Sequence, residues 1–376
     1  MSQSSVLFVC PDYHGTFALR NELRKLGWKA DIYAPAGFPE RFLYEKTDIY
    51  RARTSKSSKI FPQKIVALLN FFSFLRLARN YKFHIHYGAL NQPQFFERYF
   101  VRVGLIKREY HFGLWLLRKM GKKIVYVPSG CRDEEFKSVF QRLDEGNVCG
   151  NCGFADQCSD KDILPNLSRA QKYASLSVGL GFLEPSYLKV KHFKYKSIDL
   201  NRWKPEIQES NSEKVRVVHS HSLETRSHAS LNIKGSPHIV EIMRRIESEL
   251  PNVEFIELTG LKISEMLTEQ KKADVIIDQI RYGHWGSTGV EAMALGKVLV
   301  CYLRPSWKAN FLSNFPEYLD LPVVNANVNN LYEVMVKLLT NDQMINDLKI
   351  RSRLFAQAHY DASKNVHELA KVLMAL

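Results

Sequence analysis

The strongest constraint on this sequence is a repeated alternation. Short apolar runs of strand length are each followed by a polar or glycine-bearing loop and then by a stretch with helical spacing. In the first half the runs are Val6 to Cys10, Ala30 to Tyr33, Phe83 to Tyr87 and Lys123 to Val127. In the second half they are Val215 to His219, Val253 to Leu258, Val275 to Ile280, Val298 to Leu303 and Pro322 to Val324. Runs this short and this rich in Val and Ile, with helices between them, read as buried parallel strands joined by crossovers. After the first run, Phe17, Leu19, Leu23 and Leu26 recur among charges until Gly27, which reads as a helix and its C-cap. Further helical stretches fall near residues 60–80 and 95–119, and three close the chain from about Asn330 to Leu376.

The polar stretch Pro205 to Lys214 separates the two series, so the expected units are residues 1–204 and 205–376, both α/β. Open parallel sheets bind ligands at the carboxyl ends of their strands, and two such sheets facing one another place the site in a cleft between them. Residues at strand ends are therefore the candidates for chemistry.

Charge is distributed unevenly. Residues 1–200 carry 32 bases against 18 acids, whereas residues 201–376 carry 21 of each. Within residues 51–132 there are 17 bases and only two acids, Glu97 and Glu109. The cationic surface thus belongs to the first unit, and an anionic membrane surface contacted through residues 51–132 is the expected partner there. On a helical wheel Ile65, Leu68, Phe72 and Leu75 form the face expected to be buried, with Phe71 and Phe74 outside it. No run reaches the roughly 20 apolar residues that span a bilayer, and nothing near the start resembles a signal peptide. The expected location is cytoplasmic, including the inner face of the membrane.

The segment Ala273 to Val300 holds the densest set of signals: a buried strand ending at Asp278, a loop with Gly283 and Gly286, a helix opening at Ser287 and Thr288, then Glu291-Ala-Met-Ala-Leu-Gly-Lys297 and another strand. Glycines admit a close approach of the backbone to a ligand, and a helix N-terminus offers unpaired N–H groups to phosphate oxygens. Glu291, one turn into that helix, can accept hydrogen bonds from a ribose. Read blandly, the glycines make a turn and Glu291 faces solvent.

This arrangement resembles the GT-B glycosyltransferases, in particular the family 4 type, whose hallmark is a glycine-containing loop and a Glu-Ala-Met-Ala helix followed by Gly-Lys. The resemblance continues in His219-Ser-His221, in Asn232-Ile-Lys234-Gly235 and in Ile198-Asp-Leu-Asn-Arg-Trp203, and spans most of residues 198–303. It implies two Rossmann-like domains with the terminal helices near their junction, and transfer of a sugar from a nucleotide diphosphate sugar to an acceptor hydroxyl, in cell-surface or lipid-linked glycan synthesis. By the same resemblance Glu291 would bind the donor ribose, while Lys234 with Gly235 and Arg226 would neutralise the diphosphate. Replacing Glu291 or Lys234 by alanine is then expected to weaken donor binding without disturbing the fold. One departure is visible: the glutamate that the family carries eight positions earlier is Gly283 here, and the neighbouring His284 is a candidate for the sugar contact.

In the first half, the loop Asp12-Tyr-His-Gly-Thr16 follows the first strand, where family members place a glycine-rich turn facing the donor. Gly15 would approach the diphosphate or sugar, and His14 or Asp12 would act as base on the acceptor hydroxyl. His86 and His111 are candidates on the acceptor side, against the plainer reading of structural histidines. Cys131, Cys149, Cys152 and Cys158 form a C-x17-C-x2-C-x5-C set within a Cys-rich insertion at about 131–160. Four thiolates suit a structural zinc with no open position for catalysis, so no catalytic metal is expected; free thiols, a disulfide or an iron–sulfur cluster are the alternatives. Two other functions remain open at this point: a nucleotide-sugar epimerase of the same architecture, and a zinc-containing nucleic-acid-binding protein. The second leaves Glu291 and Lys234 unexplained, so no nucleic-acid partner is expected.

Overall fold

The computed structural model describes residues 4–11, 13–34, 49–51, 63–88, 104, 111–143, 147–153, 155–179, 187–206, 214–221 and 233–376. Asp12, Arg226 and part of the helical stretch expected at 95–119 lie outside these residues.

Two wholly parallel sheets form. The first contains β1 (Ser5–Val9), β2 (Lys29–Ala34), β3 (Ile49–Arg51), β4 (Phe83–Tyr87), β5 (Lys123–Val127), β6 (Leu176–Gly179) and β7 (Val190–His192), in the order β3-β2-β1-β4-β5-β6-β7. The second contains β8 (Val215–His221), β9 (Val253–Thr259), β10 (Val275–Ile277), β11 (Val298–Cys301) and β12 (Val323–Asn325), in the order β12-β11-β10-β8-β9. Three short strands of the first sheet, β3, β6 and β7, were not expected from the apolar runs, because three or four residues in mixed company carry no readable alternation.

Each sheet is buried on both faces, as parallel sheets require. On one face of the first sheet Val6, Phe8, Phe83, Ile85 and Tyr87 pack against Phe17, Leu19 and Leu23 of the Tyr13–Lys25 helix. On the other, Leu7, Val9, Ile124 and Tyr126 pack against the helices Gln63–Ala78, Phe112–Lys119 and Asp160–Tyr173. The Gln63–Ala78 helix is turned differently from the wheel expectation: Phe71 and Phe74 are buried, while Ile65, Leu69 and Phe72 are exposed. Apolar residues surround that helix on all sides, so its sequence does not define which stripe goes inside.

The three closing helices are present as Leu331–Leu339, Asp342–His359 and Ala362–Met374. The first two cover the second sheet. The last crosses back, and its Val366, Leu369, Val372 and Leu373 complete the core of the first domain beside the Tyr13–Lys25 helix. The chain also crosses at residues 193–203, where Ile198 N–H donates to the Tyr360 carbonyl at 2.8 Å and Ala362 N–H donates back to Ile198 at 3.2 Å. These two crossing segments pair in parallel at Ile198 and Asp361 and tie the domains together.

Leu369 is fully buried in the first-domain core although it lies seven residues from the last residue of the chain. Leu369→Ala should lower the unfolding free energy by about 3 kcal/mol. Hydrogen exchange should then speed up in β1 and β2; acceleration confined to β10 and β11 would contradict this placement.

Candidate active site in the interdomain cleft

Strand order reverses beside β1 in the first sheet and beside β8 in the second, and both reversals open onto the same cleft. A cavity there is lined by His14, Gly15, Thr16, Leu19, Tyr87 and Val127 of the first domain, by Tyr195, Lys196 and Ser197 of the crossing segment, and by Ser287 of the second domain.

Asp278 follows directly on β10 and is completely buried. One carboxylate oxygen receives Lys234 Nζ at 3.1 Å and the other the N–H of Gly286 at 2.5 Å. Burial pushes this carboxyl up, but Lys234 and the Gly286 N–H outweigh it and hold it below the ordinary carboxylate value. Asp278 therefore stays ionised, and joins three pieces of chain: the end of β10, the Lys234-Gly235 start of the Ser236–Glu249 helix, and the glycine loop. Lys234 also reaches the Ser220 carbonyl at 3.4 Å. A Cβ on Gly286 would lie 3.3 Å from Asp278 Oδ2, so a side chain there would crowd the contact. Since Gly286 spends its N–H on Asp278, the N–H groups available to an anion at this helix are those of Ser287, Thr288 and the rest of its first turn.

Glu291 lies one turn further along the Ser287–Ala294 helix. Buried Gln270 donates to its Oε2 at 2.9 Å, and His14 Nδ1 of the first domain stands 3.2 Å from its Oε1. His14 is itself buried and packs against Trp203, their ring centroids 5.2 Å apart. The sequence placed His14 and Gly15 in a loop; they occupy the first turn of the Tyr13–Lys25 helix. A Cβ on Gly15 would sit 3.0 Å from the Ser197 carbonyl oxygen, so this glycine lets the helix abut the crossing segment as well as line the cavity.

The structure gives a physical reason for the departure at Gly283. Its φ of 97° is a conformation that side chains rarely adopt, and a Cβ would come within 2.9 Å of Arg304 Cβ. The space is filled by Arg304, almost wholly buried, whose Nη2 donates to the Tyr282 carbonyl at 2.8 Å and whose guanidinium lies 5.0 Å from the Phe140 ring centroid. His284 is buried beside it, with Nδ1 donating to the Trp285 carbonyl at 2.9 Å. Burial first of all lowers its pKa to about 3, so the ring is neutral at pH 7. His219 behaves alike: burial takes it to about 3, Nδ1 donates to the Ile277 carbonyl at 2.8 Å and Nε2 accepts from Ser236 Oγ at 2.7 Å.

His14, Lys234, Gly235, His284, Gly286, Ser287 and Glu291 are thus gathered about the cleft. His86 is buried in β4 on the face opposite Tyr87, its ring beside that of His84. His111 caps the Phe112–Lys119 helix and packs edge-on against Tyr173. Neither lines the cavity.

The expected zinc ligands Cys131, Cys149, Cys152 and Cys158 are all among the described residues. Cys131 and Cys149 border a small cluster of Phe140, Val148 and Tyr282 that joins the insertion to the second domain. Cys158 packs toward the first-domain core, where burial pushes its thiol up and neighbouring Cys152 adds to the rise. All four are free thiols, and among the described residues no three His, Cys, Asp or Glu side chains are arranged to hold a metal.

Sequence reasoning missed Gln270, Tyr195 and Lys196. Lys196 lines the cavity beside Tyr195 and Ser197. Its one sequence cue was position, just ahead of Ile198. Gln270, on the Ile263–Lys272 helix, had none.

No protein-family model matches this sequence, and no curated protein matches it. Solved structures do. Sucrose-phosphate synthase from Thermosynechococcus elongatus aligns over 99% of both chains at 12% identity with a TM-score of 0.63. TarM from S. aureus, solved with fondaparinux, α-GlcNAc-glycerol and UDP, aligns over 99% of this chain and 100% of its own at 8% identity and 0.58. HepE from Anabaena, solved with UDP-glucose, does so over 99% and 100% at 12% and 0.55. Across such low identity the likeness is one of architecture, and with the two facing parallel sheets it defines the chain as a GT-B fold.

The buried pair also revises the expectation that Lys234→Ala leaves the fold intact. Removing the lysine strands an ionised carboxylate in the interior, at a cost of about 3 kcal/mol at neutral pH. Asp278 titrates below its unfolded value of 3.8, so the pair's contribution is complete above that value and is lost as pH falls through the folded one. The stability gap between wild type and Lys234→Ala should therefore narrow below about pH 4. A gap that stays constant in denaturant titrations from pH 7 to pH 3.5 would show that Asp278 is not the group left unpaired.

Proposed function

We propose that this protein is a glycosyltransferase that moves a sugar from a nucleoside diphosphate sugar to an acceptor hydroxyl, the acceptor being a cell-surface glycan or its lipid-linked precursor. The observation that carries the reading is the placement of Glu291: steadied by Gln270 from its own domain, facing His14 across the cleft, and one turn from the helix N-terminus at Ser287. A ribose diol would donate to Glu291, and the diphosphate would lie between the Ser287 helix start and Lys234. HepE with UDP-glucose and TarM with UDP and a sugar-bearing glycerol support the donor class. The TarM ligands are also consistent with a cell-surface acceptor.

In this reading cations take the charge that develops as the diphosphate leaves. Lys234 is oriented by Asp278, and Lys196 approaches from the crossing segment. His14 Nδ1 faces a carboxylate, which favours the ring carrying hydrogen there and leaves Nε2 as the nitrogen suited to accept the acceptor's proton. The seat of the second family glutamate is occupied by Arg304, so no carboxylate from that position is assigned a role.

Thermal stabilisation by nucleoside diphosphates tests the reading. Wild-type protein should gain stability with at least one of UDP, GDP, ADP or dTDP, and Glu291→Gln should weaken that ligand about tenfold, as expected for loss of a charged hydrogen-bond acceptor. If no nucleoside diphosphate or nucleoside diphosphate sugar shifts the melting of wild type, the proposal fails.

A further inference from the structure

We infer that the Gln63–Ala78 and Phe112–Lys119 helices form a docking surface for an anionic lipid bilayer, an inference that does not depend on glycosyl transfer. Along the first helix Ile65, Leu69, Phe72, Arg76 and Arg79 fall at successive intervals of three or four residues and all are exposed, so one stripe carries three apolar side chains followed by two guanidinium groups. On the second helix Phe112 and Trp115 are exposed on one stripe, followed by Lys119 and then Met120. Phe72 is 56% exposed and Trp115 43%, so two large aromatic side chains contribute to the apolar area of this surface.

The two stripes belong to one surface. Buried Phe71 lies between the helices, stacked on Phe112 at 6.3 Å and edge-on to Phe72 at 5.5 Å, and Phe112 stacks in turn on Trp115 at 5.4 Å. Lys119 Nζ lies 6.0 Å from the Trp115 ring centroid. Residues 63–88 and 111–130 together hold eight Lys and Arg and no Asp or Glu. That complete absence of acids selects the occupant. A protein partner or a second copy of this chain would present both signs of charge, whereas an anionic leaflet presents one. Aromatic side chains sit at the headgroup level and bases beside them gain from the surface potential, which is the combination found here. Among the described residues no helix is long and apolar enough to cross a membrane, so the contact is with the surface.

The test is co-sedimentation of the whole protein with vesicles of phosphatidylcholine alone and of phosphatidylcholine mixed with phosphatidylglycerol. Wild type should pellet with the mixed vesicles only, and less at about 0.5 M salt, where screening is strong. Arg76→Glu with Arg79→Glu should weaken binding at least about twentyfold, each base near an anionic leaflet being worth about fivefold. Phe72→Ser with Trp115→Ser should weaken it about tenfold or more while leaving the melting temperature unchanged, both side chains being exposed. Equal pelleting of wild type and both double variants, or no pelleting of wild type with either vesicle, would overturn the inference. So would a dimer in solution that Phe72→Ser with Trp115→Ser dissolves, since the patch would then be a contact between copies.

Discussion

The arrangement of the second domain's site depends on one buried charge. Asp278 has no exposure, and a carboxylate in such a place is tolerable only when its charge and lone pairs are met. Lys234 and the N–H of Gly286 meet them, and in doing so each is fixed. The lysine that would face a diphosphate is held at the end of β8, and the glycine loop is drawn onto β10 so that the Ser287 helix starts at the cleft. Lys234 keeps partial exposure while its partner has none, so an arriving anion meets a cation already oriented. Such an arrangement is a weak source of net stability and a strong source of geometry.

The relation between the domains rests on ordinary packing. Ile198 and Ala362 pair backbone to backbone, Arg353 donates to the Trp203 carbonyl at 2.8 Å, and the last helix buries four apolar residues against the first sheet. Trp203, from the crossing segment, carries the ring against which His14 packs. The first domain's histidine is therefore positioned by the same segment that joins the domains, and its 3.2 Å contact with Glu291 is a consequence of that seating.

Much of this was legible in the sequence, for identifiable reasons. The five strands of the second sheet are rich in Val and Ile and followed or ended by polar residues, and the Glu291 helix is marked by glycine before it and Gly-Lys after it. What could not be read falls into two kinds. Strands such as β3 and β7 owe their pairing to neighbours rather than to their own three residues. The Gln63–Ala78 helix is apolar all round, so the choice of buried stripe was made by the sheet it covers, which took Phe71 and Phe74 and left Phe72 outside.

Gly283 shapes a loop that ties the two domains together. With no side chain and φ at 97°, the backbone there lies close enough for Arg304 to fill the space beside it and donate to the Tyr282 carbonyl. Its guanidinium then lies near the ring of Phe140, and Phe140 packs on Tyr282 with centroids 6.0 Å apart. Phe140 belongs to the Lys137–Leu143 helix of the Cys-rich insertion in the first domain, whereas Tyr282 and Arg304 belong to the second. This position is thus an anchor between domains. Any motion that opens the cleft must part these rings from the guanidinium or carry the insertion with the second domain, so the insertion is mechanically linked to the loop that precedes Glu291.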